Sequence, residues 1–146
     1  VQEFATAARL CYTQGMDPQF DIVIVGGGIA GLSFALDVAG HASVAVLAKR
    51  TLTDTNTRWA QGGIAAVLDD AHDSAALHVR DTLTAGAGLC RQDVVEMVVG
   101  ASSSAVRRLI DRGVTLDRAD GQLHLTREGG HSVRRVAHAA DHTGEA

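Results

Sequence analysis

Cysteine, proline and aromatic residues are all scarce in this chain, and each scarcity removes a class of explanation. The two cysteines, Cys11 and Cys90, stand far apart and outside any CxxC spacing. A disulfide framework or cysteine zinc site is therefore not expected, and a reducing cytoplasm suits the composition. Aromatics make up 3% of the residues, too few for base-stacking platforms. Lys and Arg number 13 against 17 Asp and Glu, a formal charge of −4, which leaves no electrostatic footprint for nucleic acid. No apolar run approaches the roughly 20 residues that span a bilayer. The chain does not open with a basic region followed by an apolar one, so no signal peptide is read. HExxH, the GxSxG elbow and the Walker lysine motif are all missing, as are internal repeats and low-complexity tracts. What remains is a globular composition, 46% hydrophobic and 21% charged over 146 residues, enough for one domain with a modest core.

Glycine is not scarce: there are sixteen, against the single Pro18. Three of them give Gly26-x-Gly28-x-x-Gly31, after the apolar run Asp21–Val25 and before a segment of helical period, Ile29 to Val38. That is the dinucleotide fingerprint in the context that gives it meaning. Gly26 makes the turn, Gly28 admits a pyrophosphate to the backbone, and Gly31 lets helix and strand close up. The helix N-terminus then offers N–H groups and a positive dipole end to the phosphates. A nearly all-apolar strand is expected to be buried on both faces of a parallel sheet, with Ile29, Leu32 and Leu36 as the inner helix face. A second strand, Val44–Ala48, completes a βαβ unit. An acidic residue commonly follows the second strand and bonds a ribose hydroxyl. Here Ala48, Lys49 and Arg50 stand in that place, which weakens NAD and leaves FAD, or NADP held by the basic pair.

Further along, Arg58–Trp59–Ala60–Gln61–Gly62–Gly63–Ile64 follows a threonine-rich loop. The glycine pair permits close backbone approach; on spacing alone an ordinary turn before a strand at Ile64–Leu68 fits too. Asp73 can cap a helix from Ser74 to about Ala85 with Ala76, Val79 and Leu83 on one face. The clearest period runs from Asp93 to Arg112, with Val95, Val98, Val99, Ser102, Val106, Leu109 and Ile110 inward and Ser103 among the outward positions. Gly113 suits its end, Asp120–Gly121 suits a turn, and Gln122–Leu125 a short strand.

Four of the seven histidines lie between His124 and His142, with His138 and His142 spaced i, i+4. Two imidazoles on one helix face would result if the segment were helical, but without a third ligand no metal site is expected. The segment Thr126–Arg127–Glu128–Gly129–Gly130–His131–Ser132 groups a glutamate, a histidine and arginine around two glycines. It can form a pocket for a small charged substrate, and a solvated loop would look similar.

Together these motifs resemble a family. Gly26–Gly31, Trp59–Ala65, Asp81–Gly88 and Leu125–Ser132 stand in the order found in the N-terminal part of the L-aspartate oxidase family, flavoenzymes of NAD biosynthesis related to succinate dehydrogenase and fumarate reductase flavoproteins. The resemblance runs from about Asp21 to the C-terminus. It implies an α/β fold: the N-terminal part of a Rossmann-like FAD-binding domain over residues 20–146, its parallel sheet incomplete, after a poorly ordered extension over residues 1–19. It implies that Gly26, Gly27, Gly28, Ile29, Ala30 and Gly31 hold the FAD pyrophosphate and that Lys49 lies near the adenosine side. Asn56, Thr57, Arg58, Trp59, Ala60, Gln61, Gly62 and Gly63 would wrap the cofactor towards the flavin. Related dehydrogenases typically link FAD covalently through a histidine where this chain has Asn56, so noncovalent FAD is expected.

By the same resemblance Glu128 orients the substrate through its amino group. The reaction implied is oxidation of L-aspartate to iminoaspartate with oxygen or fumarate as acceptor, by an enzyme of the cytoplasm. A fumarate reductase or succinate dehydrogenase-like flavoprotein, or a noncatalytic FAD or NADP-binding module, is the alternative. Family members are several times longer, so the chain is expected to be an incomplete, inactive fragment.

Overall fold

The computed structural model describes residues 19–146. The extension expected over residues 1–19 lies, Gln19 apart, outside the described residues. The chain divides into two compact units, Val1–Trp59 and Ala60–Ala146.

In the first unit, β1 (Ile22–Val25), α1 (Ile29–Val38) and β2 (Val44–Leu47) follow in order. β1 and β2 pair in parallel from Ile22↔Val44 to Val25↔Leu47, as the two β-branched runs predict. A polar latch sets that register. The Asp21 carboxylate accepts from the Ser43 hydroxyl at 2.6 Å and from the Ser43 N–H at 2.8 Å. These bonds hold the Asp21 carboxyl below its usual range. Burial differs from expectation. Ile22 and Ile24 are half-buried while Val23 and Val25 are 55% and 85% exposed, because β1 and β2 form a sheet of two strands. In α1 the expected inner stripe Ile29, Leu32 and Leu36 is exposed, and the half-buried positions are Gly31, Ser33, Ala35 and Val38. A helix that is apolar all round has no unique inner face by periodicity. The small residues decide, because they let helix and strand approach.

The second unit contains β3 (Ile64–Ala65), α2 (Ala75–Ala85), α3 (Gln92–Asp111), β4 (Arg118–Ala119), β5 (Gln122–Leu123), β6 (Leu125–Thr126) and β7 (Val136–Ala137). β7 is the middle strand of an antiparallel sheet ordered β3-β7-β6. β4 and β5 form a hairpin around Asp120 (φ 53) and Gly121 (φ 80), the paired positive φ values of a type I′ turn. The strand expected over Gln122–Leu125 is thus split between β5 and β6. Ser74, not Asp73, caps α2: its hydroxyl accepts from the Leu77 N–H at 3.2 Å. Ala76 is exposed, and the buried residues of α2 are His78 and Asp81. α3 follows its predicted stripe apart from Val98, which is 57% exposed. Ser103 turns inward and donates to the Val67 carbonyl at 2.5 Å. The core gathers Ala66, Val106, Leu116 and Ala137, with Ile110 and Leu125 against them. Among the described residues no helix is long and apolar enough to cross a membrane.

Candidate functional site

The glycine turn has the geometry its spacing predicts. Gly26 has φ 111, a conformation closed to side chains, and its N–H donates to the Leu47 carbonyl at 2.8 Å. A Cβ on Gly31 would run into the Gly26 carbonyl oxygen and reach 3.2 Å from Ile24 Cγ2. Gly31 is thus where α1 closes on β1. Gly28 is the N-cap of α1 and supplies no side-chain cap. Thr57 stands in: its hydroxyl accepts from the Ile29 N–H at 3.1 Å and lies 3.3 Å from where a Gly28 Cβ would be. Gly27 meets the same loop, since a Cβ there would come 3.1 Å from the Leu52 carbonyl oxygen. The structure therefore brings the loop bearing Thr57 against the glycine turn. The N–H groups of Ala30 and Gly31 belong to the first turn and have no acceptor inside the helix. This donor set fits a pyrophosphate: backbone N–H groups at a helix start, with no side chain on Gly28 in the way. Lys49 and Asn56 are exposed, and Trp59, 71% exposed, lies under the Arg58 guanidinium at 5.6 Å.

In the second unit Gln61 and Gly62 are exposed, and Gly63 is half-buried at the entry to β3. The two glycines differ. A Cβ on Gly62 would meet nothing, whereas one on Gly63 would meet Val136 Cγ1 at 2.5 Å, the Ala137 carbonyl oxygen at 2.6 Å and His138 Cε1 at 2.7 Å. The close approach that the structure shows at this pair is internal: Gly63 packs on β7 and His138 where the chain enters β3, as the turn before a strand requires.

Glu128 follows β6 on an exposed loop, which turns back at Gly130 (φ 83). Its Oε1 lies 2.9 Å from His138 Nε2, which also lies 3.0 Å from the Thr126 hydroxyl. His138 was not legible as a partner of Glu128, because β6 and β7 bring them together by antiparallel pairing. The segment of His138 and His142 is not helical, so their i, i+4 spacing does not put them on one helix face. Among the described residues no group of three His, Cys, Asp or Glu could hold a metal ion. A cleft of about 700 Å³ lies beside the loop, lined by Thr126, Arg127, Ser132 and Arg134 among others. It collects the arginines anticipated for a charged pocket, while Glu128 is not in its lining.

Beneath this loop lies a buried ion network that the sequence did not announce. Arg135, fully buried, donates from Nε and Nη2 to both Asp73 oxygens at 2.8 Å and from Nη1 to Asp81 Oδ2 at 2.7 Å. Asp81 Oδ2 also accepts from the Ser132 N–H at 2.8 Å and hydroxyl at 2.7 Å. Burial pushes the Asp81 carboxyl up, but the Ser132 and Arg135 bonds outweigh it and hold it at about 2. Burial lowers the His78 imidazole, and the Arg135 charge lowers it further. His78 Nδ1 is buried without a hydrogen-bond partner, and the ring meets His131 edge-on at 5.6 Å. Asp81 and Ser132 belong to two of the motifs that carry the family resemblance. Their contact ties α2 to the loop that carries Glu128.

Comparison with known proteins follows the same lines. The model of a family described as "FAD binding domain" matches residues 21–146. An L-aspartate oxidase of Pseudomonas aeruginosa is 50% identical over 136 residues, covering 88% of this chain and 25% of its own. That of Acinetobacter baylyi is 55% identical over 129 residues, covering 87% and 23%. The chain thus spans about a quarter of the length of these relatives. Among solved structures, an E. coli quinol fumarate reductase FrdA variant superposes with a TM-score of 0.81 at 38% identity, over 88% of this chain and 22% of that one. Mycobacterium smegmatis Sdh1 gives 0.80 at 32%, over 86% and 22%.

Proposed function

The chain belongs to the FAD-binding domain family, and from that premise we propose that it forms the pyrophosphate-holding quarter of a flavoenzyme that oxidises L-aspartate to iminoaspartate. The observation that carries this reading is the Glu128 carboxylate, half-exposed at the rim of a small sheet and anchored at one oxygen by His138. A fixed carboxylate is the complement of an α-ammonium group. Succinate has no such group, so a site built around Glu128 favours the amino acid over the plain dicarboxylate. The close similarity to proteins named L-aspartate oxidase points the same way.

The chain's own residues have separable tasks. The glycine turn and the first N–H groups of α1 bind pyrophosphate, and Thr57 fixes the start of that helix. Lys49 serves the adenosine side, and the segment from Asn56 to Gly63 serves the flavin side. Asn56 has no imidazole to bond covalently, so the cofactor is held by noncovalent contacts alone. Bound FAD supplies the acceptor for a hydride leaving the aspartate Cα. Glu128 orients the substrate by its nitrogen, which must shed a proton before the C–N double bond forms. Oxygen or fumarate would be the final electron acceptor.

The test is anaerobic flavin bleaching by the full-length polypeptide. L-Aspartate bleaches it, succinate does not, and acid precipitation leaves the flavin in the supernatant. Bleaching by succinate alone would favour a succinate dehydrogenase-like enzyme, the alternative that the FrdA and Sdh1 likeness keeps in view.

A further inference from the structure

We propose that His138 is the positioning residue of Glu128: it fixes the carboxylate that meets the substrate's ammonium group, and Gly63 is glycine to make room for it. This rests on the substrate-orienting role of Glu128 proposed above.

The argument begins with protons. The Glu128 carboxylate, 2.9 Å from His138 Nε2, offers only lone pairs. Nε2 must therefore carry a proton to bond it, and donates. The Thr126 hydroxyl, 3.0 Å from the same nitrogen and 3.4 Å from the Val136 carbonyl, can turn its own proton to that carbonyl and so leaves this N–H to Glu128. Glu128 thereby selects the tautomer and receives a directed N–H.

Burial divides the tasks. The His138 side chain is 18% exposed and that of Glu128 is 49% exposed. The anchor is thus held by the protein while the carboxylate faces outward. With Oε1 engaged, Oε2 is left for a ligand. Glu128 sits beside the glycines of the loop, so its flexible side chain has no rigid backbone to rely on; the imidazole supplies the restraint.

Gly63 explains how the ring is held. A Cβ there would come 2.7 Å from His138 Cε1 and as near to the backbone of β7. The second glycine of the Ala60–Gly63 run and the Thr126–Gly130 run are therefore parts of one device. The first clears the space, β7 delivers the imidazole, and the second places the carboxylate on it.

The experiment measures kcat and KM for L-aspartate, with FAD retention, in the full-length FAD-loaded protein. The variants are Glu128→Gln, His138→Leu, His138→Gln and the Glu128→Gln/His138→Leu pair. His138→Leu is expected to raise KM about tenfold, with kcat within about threefold and FAD retention unchanged. His138→Gln, whose amide nitrogen reaches to about the position of Nε2, restores most of the loss. The double variant is no worse than Glu128→Gln alone, since a positioning residue has nothing left to position. Unchanged KM in His138→Leu, no rescue by glutamine, or a full additional loss in the double variant overturns the proposal. A Glu128→Gln variant with wild-type KM overturns instead the substrate role of Glu128, and this inference with it. Should His138→Leu not fold, the imidazole 15N signal of His138 is compared between wild type and Glu128→Gln. A shift supports the pairing and an unmoved signal overturns it.

Discussion

At the scale of single residues, Arg135 carries a large electrostatic stake. It is a permanent cation with no exposure, answered by Asp73 at 1% and Asp81 at 10% side-chain exposure. Replacing it by leucine leaves two carboxylates buried without their counter-charge. The expected loss is about 3–5 kcal/mol, read by urea unfolding, because breaking a buried pair from one side strands the other charge. A loss under about 1 kcal/mol would mean that the carboxylates reach water or a proton cheaply. Two groups here also make stability depend on pH with the same sign. The Asp81 carboxyl lies at about 2 in the fold and near 3.9 when unfolded. The unfolded chain therefore binds more protons across that interval, and stability falls as pH drops from about 4 towards 2. The His78 imidazole is held low, chiefly by burial, so the unfolded chain takes up its proton first, and stability begins to fall as pH passes below about 6.5. His78→Leu is expected to remove the upper part of this slope and leave the lower; a slope unchanged between pH 7 and 5 would assign it to other groups. None of this network was legible in the sequence. Nothing in the sequence sets Arg135 apart from Arg134 until β7 is known to bury Val136 and Ala137. Asp73 reads as a helix cap until Ser74 is seen to do that work.

At the scale of elements, glycine spacing was the most informative signal and apolar periodicity a conditional one. Gly26, Gly28 and Gly31 predicted the strand-turn-helix, because each reports a local backbone need: a positive φ, a short cap, a close crossing. α3 was legible because its polar face is clearly polar. α1 was not, since Ile29, Leu32 and Leu36 compete with an equally apolar small-residue face. The Gly62–Gly63 pair looked uniform in sequence but carries one demanding position. Gly63→Ala forces its Cβ within 2.7 Å of Val136, Ala137 and His138, and overpacking of that kind costs about 1–3 kcal/mol. Gly62→Ala meets nothing within 4 Å and is expected to stay within about 0.5 kcal/mol of wild type. Thermal unfolding of the two variants measures the contrast. Equal effects would show that the β3–β7 edge moves freely, and His138 with it.

At the scale of the whole molecule, the first unit exposes what a doubly wound sheet would bury. Val23, Val25, Ile29, Leu32, Phe34, Leu36 and Leu47 are all between 37% and 85% exposed, on a pair of parallel strands and their helix. Parallel strands occur almost only with both faces covered, and contiguous apolar surface of this kind marks an interaction site or an aggregation liability. The relatives are about four times as long as this chain, so they have chain enough to cover it. The 146-residue polypeptide by itself is therefore expected to bind a hydrophobic dye strongly, to associate as its concentration rises, and to lose FAD on gel filtration. A full-length relative, such as the L-aspartate oxidase of Pseudomonas aeruginosa, should do none of these. The reason for the FAD loss is specific. On the function proposed above, the glycine turn and Thr57 would hold only the pyrophosphate end, and a charged group at a solvent-exposed helix terminus gains about 1 kcal/mol or less, far short of what retention at micromolar concentration requires, roughly 8 kcal/mol. Stable yellow colour in the short polypeptide, with no dye binding, would show that the cradle and its exposed apolar faces already suffice.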